Sequence, residues 1–140
     1  MLKRATHSRW MNTLIRCVVA LFAALVLASG AHAQTVQRPF PATALRGEIA
    51  FGQPPEVLLN GQAARLSPAA RIRGTNNLLV MSGALMGERA IVHYVVDSLG
   101  LVQDVWILTE AERAKQPWPT TVYDAKAWSF DPVAQVWTSR

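Results

Sequence analysis

The chain reads as mainly β: a small barrel or sandwich of five to seven mostly antiparallel strands, with a short C-terminal helix and an aromatic tail. Three observations predict this. Residues 44–51 alternate in polarity with period two, as a half-buried strand does. Asn60-Gly61, the pair favoured in type I′ turns, stands between two further short runs. A second pair of apolar runs flanks Asp97-Ser98-Leu99-Gly100, with Asp first and Gly fourth as a type I turn prefers.

Taken in order, the first element places Leu45, Gly47, Ile49 and Phe51 on one face and Arg46 and Glu48 on the other. Pro54-Pro55 ends it, because proline cannot donate to a sheet ladder. Around Asn60-Gly61 the expected register sets Leu59 against Gln62, Val57 against Ala64 and Glu56 against Arg65. Another short strand is expected at Ala70 to Arg73, and a buried strand at Leu78 to Met81. In the next hairpin a left-handed Gly100 sets Val96 against Val102, Tyr94 against Asp104 and Val92 against Trp106. Both faces of that hairpin are apolar, so it is central or has its second face covered. Thr109 with Glu112 three residues on is a capping box and starts a helix, which Pro117 and Pro119 stop. The tail, 117–140, carries Trp118, Tyr123, Trp128, Phe130 and Trp137, and is expected to pack on the face of Val92, Tyr94 and Trp106.

The first 33 residues have the parts of a secretory signal peptide. Lys3, Arg4, Arg9 and Arg16 precede an apolar run of twelve from Cys17 to Ala28, followed by Ala31-His32-Ala33. Cleavage is expected between Ala33 and Gln34, giving a periplasmic protein that meets the membrane only through its signal. Residues 34–43 then form an extended lead-in, 44–116 the β domain with its helix, and 117–140 the tail. Four of the 14 basic residues fall in the signal, leaving ten against nine acidic ones. That balance lacks the basic footprint of a nucleic-acid binder. The only cysteine also lies in the signal, so the processed chain has no thiolate and calls for no cofactor.

Candidate chemistry is sparse. His93 is the one residue of the processed chain suited to acid–base work near neutral pH. It lies on a strand face with Ile91 and Val95, where a lone histidine is usually a packing residue. Asp104 is expected on the opposite face. Arg71 and Arg73 share a strand face beside the amides of Asn76 and Asn77, a set able to bind a carboxylate or phosphate. Trp106, Trp128 and Trp137 would form a binding groove if the tail left the hairpin exposed.

Two resemblances add to this. Residues 92–108, "VHYVVDSLGLVQDVWIL", look like the strand pair of TonB-type C-terminal domains over less than a third of the processed chain, a likeness of hairpin physics. "LRGEI", "LNGQAARLSPAARIRGTNNLLVMSG" and "VWILTEAE" resemble a family of small exported proteobacterial proteins with no established activity. That resemblance implies an address and a class but no mechanism. The expectation is an exported non-catalytic domain binding an envelope protein, a glycan or a small anionic ligand. The alternatives are a small hydrolase or isomerase using His93, and a structural subunit that joins a partner by its sheet edge.

Overall fold

A computed structural model describes residues 36–140; the signal segment and the Ala33/Gln34 junction lie outside the described residues. Five strands close into a barrel: β1 (Leu45–Phe51), β2 (Glu56–Leu59), β3 (Gln62–Arg73), β4 (Arg89–Val96) and β5 (Val102–Ile107), in the order β1-β2-β3-β5-β4. β3 and β5 run parallel and the other neighbours antiparallel. Two helices follow, α1 (Glu110–Ala114) and α2 (Val122–Ala127), then a separate hairpin of β6 (Ser129–Asp131) and β7 (Val136–Thr138).

The expected turns form. Asn60 and Gly61 have φ of 52° and 79°, and Glu56 opposes Arg65 with an ion pair of 3.1 Å. Gly100 is left-handed at 79°, and Val96 opposes Val102. Asp97 Oδ1 fixes that turn by accepting from the amides of Leu99 and Leu101. The capping box of Thr109 and Glu112 is complete.

Three expectations need correction. Beyond Val96–Val102 the register shifts: Val95 pairs with Asp104, so Gln103 is an extra residue, a β-bulge. A bulge exchanges the faces of everything after it. Tyr94 therefore opposes Val105, Val92 opposes Ile107, and Trp106 stands opposite His93. Second, Leu78 to Met81 form no buried strand. They belong to an exposed turn that makes a single bridge, Leu79 to Arg73, and Leu78, Leu79 and Met81 are 65%, 66% and 81% exposed. The short strand expected at Ala70 to Arg73 is the end of the twelve-residue β3. Third, the tail contains a second helix, α2, capped by Thr121 accepting from the Asp124 amide.

Two cores result. The barrel interior holds Leu45, Ile49, Phe51, Val57, Val92, Val102 and Val105, all nearly sealed from solvent. Each such side chain stabilises by about 1.5–3 kcal/mol. An outer core lies on the other face of the β4–β5 hairpin: Phe40 from the lead-in and Trp118 and Trp137 from the tail pack over Ile91, Val95 and Trp106. The tail thus covers the face of His93 and Trp106; Val92 and Tyr94, where it was expected to pack, point into the barrel.

Candidate functional site: a groove walled by two arginines

Alternation along β1 turns Leu45 and Ile49 inward and leaves Arg46 and Glu48 outside. Arg46 stands opposite His93 in the β1–β4 ladder. Its guanidinium closes the end of α1, donating to the carbonyl oxygens of Glu112 (2.9 Å), Arg113 (3.1 Å) and Lys115 (2.8 Å). These are carbonyls at the helix end, which a cation satisfies. The same group meets His93 Nε2 at 3.2–3.3 Å and lies over the Trp118 ring at 5.6 Å. Burial lowers the Arg46 pKa and the nearby Glu112 carboxylate opposes that shift.

Behind Arg46, His93 is 1% exposed. Its ring stacks on Trp118 at 3.9 Å and meets Phe40 edge-on at 4.4 Å. Burial, then the charges of Arg46 and Arg38, push its pKa down to about 2. His93 is therefore a neutral acceptor for Arg46, and its Nδ1 finds no hydrogen-bond partner among the described residues. A general base needs a reacting proton within reach, and this ring is enclosed by aromatic side chains.

Arg38 completes the framework. The side chain is 6% exposed and pairs with Glu112 while donating to the carbonyls of Gly74 (2.9 Å) and Ile107 (2.8 Å). Burial pushes the Glu112 carboxyl up, but hydrogen bonds from Arg38 and Thr109 outweigh it and hold the carboxyl below its usual range. Gln135 latches the next part of the lead-in, accepting from the Phe40 amide at 2.8 Å.

In front of Arg46 lies a groove of about 630 Å³. β1 contributes Gly47 and Glu48, the β2–β3 turn Asn60, α1 Arg113, and the following segment Gln116 and Thr120. Ile91 is part of the lining. Gly47 is required here: a Cβ would stand 2.7 Å from Asn60 Oδ1 and 3.0 Å from Tyr94 Cε1. That space lets Asn60 reach across β1 and accept from the Glu48 amide at 2.9 Å. The Arg113 side chain is exposed, and among the described residues no carboxylate pairs with it. One arginine of the groove thus holds the wall and the other faces solvent.

The residues singled out from the sequence lie elsewhere. Arg71 and Arg73 do share a face of β3, but the parallel β3–β5 register sets Asp104 beside them, at 2.9 Å and 3.9 Å. Asp104 lies on the outer surface with His93, correcting the opposite-face expectation, and its carboxylate is taken by those arginines. Asn76 Oδ1 accepts from the Leu78 amide and Asn77 is left-handed at φ 64°, so both serve the turn. Trp137 is buried in the outer core with Trp106 and Trp128 packed against it, so no open aromatic groove forms. β2 and β3 contain no aromatic residue. The groove residues escaped sequence reasoning because they come from four separated segments. The one local signal was Gly47, a residue without a side chain in the middle of an alternating strand.

Comparison with protein-family models, with curated proteins and with solved structures found no match.

Proposed function

We propose that this protein is an exported, non-catalytic binding domain that holds a small carboxylate-bearing ligand of the envelope in the groove beside Arg46. The observation that carries this is the division of labour between the two arginines. Arg46 is wholly engaged by three carbonyls and His93, whereas Arg113 lines the same groove and, among the described residues, has no carboxylate partner. A planar guanidinium binds carboxylate in bidentate fashion, and the volume falls in the range of small-molecule sites. Export rests on the signal-peptide pattern of residues 1–33.

Catalysis through His93 is disfavoured by its enclosure and its neutral state. Joining a partner sheet is disfavoured by closure of the barrel, which leaves its five strands no long open edge. The test is saturation-transfer NMR with a set of small carboxylates. Transfer should be lost in Arg113→Gln and kept in the double variant Arg71→Gln/Arg73→Gln. The reverse pattern would move the site to the β3 face. Fractionation of a Gram-negative host, with an intact mass beginning at Gln34, tests export; a full-length mass in the cytoplasm would oppose it.

A further inference from the structure

We propose that the ligand of this groove is a short peptide in zwitterionic form, its carboxylate on Arg113 and its ammonium on Glu48. This rests on the groove being a ligand site and goes further in naming the class.

The lining carries both signs of charge on separate elements, Arg113 on α1 and Glu48 on β1. Glu48 pairs with Arg89 through Oε1 at 2.8 Å, and both side chains are largely exposed, 46% and 69%. Such surface pairs contribute little, about 0–1 kcal/mol. A carboxylate has about four lone-pair sites, so Glu48 can accept from a second cation without releasing Arg89. A ligand that is only anionic would meet Glu48 as a like charge, which costs affinity. A ligand that also bears an ammonium converts that repulsion into a contact.

The rest of the lining fits the middle of a peptide. Asn60, Gln116 and Thr120 are neutral and offer both donors and acceptors, as one peptide group requires. Ile91 gives a small apolar surface for a side chain. Among the described residues no aromatic one lines the groove, so they offer a nucleobase no stacking platform.

The experiment is calorimetric titration of the mature protein with the dipeptide alanyl-leucine, its N-acetyl form and its C-terminal amide. The free dipeptide should bind wild type, and either cap should weaken binding about tenfold or more. Acetylation should have no further effect on Glu48→Gln, nor amidation on Arg113→Gln. Both variants alter exposed side chains, and circular dichroism checks that they fold. If the N-acetyl form binds wild type as well as the free peptide does, and Arg113→Gln abolishes both, the zwitterion proposal is overturned while the groove stands as an anion site. If binding is absent for all three, or indifferent to Arg113→Gln, the groove itself fails as the site.

Discussion

The two faces of the β4–β5 hairpin are built by opposite strategies. Inward, Val92, Val102 and Val105 enter an interior otherwise made of apolar side chains from every barrel strand, with Tyr94 among them. Outward, His93 and Trp106 enter a core threaded with Arg38, Arg46 and Gln135, each tied to backbone groups of distant segments, and with Glu112, which pairs with Arg38 and accepts from the nearby Thr109 amide. The inner core is non-directional and tolerates swaps of similar volume. The outer one specifies geometry, because a buried polar group that loses its partner costs its full desolvation penalty. That specified geometry holds α1 and the segment after it against β1, and so shapes the groove.

The comparison breaks most severely at Arg38. Arg38→Ala leaves the part-buried Glu112 without its ion-pair partner and removes the donor to the Ile107 carbonyl, while the Gly74 carbonyl keeps the Asn77 amide, and should cost about 3 kcal/mol in urea unfolding. A cost below about 1 kcal/mol would mean that the outer core does not depend on its ion pair.

Gly47→Ala tests the join between the cores. Its Cβ would strike Asn60 and Tyr94, so about 1–3 kcal/mol should be lost, and groove binding with it. Unchanged stability would show that Asn60 moves freely.

Acid titration separates the outer core from the inner. The folded state keeps His93 neutral to a pKa of about 2, against 6.5 for an ordinary histidine. The unfolded chain therefore takes up a proton that the folded one refuses. The contribution is complete above pH 6.5 and is lost as pH falls below it, by about 1.4 kcal/mol per pH unit. Glu112, held below 4.5, adds its own loss only at lower pH. His93→Gln retains an acceptor for Arg46 and should flatten the stability profile between pH 6.5 and 4.5. An unchanged slope there would remove His93 from the account.

The smallest effect belongs to Arg113. Its side chain is exposed and contributes to neither core, so Arg113→Gln should change stability by less than about 0.5 kcal/mol while weakening ligand binding about tenfold or more. A larger loss of stability would make it a structural residue.

The inner core was legible in the sequence because its signals are local. Alternation from Leu45 to Phe51, Asn60-Gly61 and Asp97 to Gly100 each fix conformation within a few residues. The bulge at Gln103 was not legible, since it carries no residue signature, and it moved Trp106 to the other face. Leu78 to Met81 misled because an apolar run looks alike whether covered or exposed. The outer core and the groove depend on contacts such as Arg38 to Glu112, 74 residues apart, which no periodicity announces. The aromatic tail announced that a cover existed, but only the bulge decided which face it covers.

The proposed ligand surface lies beside Arg46. Amide chemical-shift mapping with alanyl-leucine tests it most directly. Shifts should concentrate at Gly47, Asn60, Ile91, Arg113 and Thr120, with the β3 arginine face and the Leu78–Met81 turn silent. Shifts confined to either of those two surfaces, or none at millimolar peptide, would contradict it.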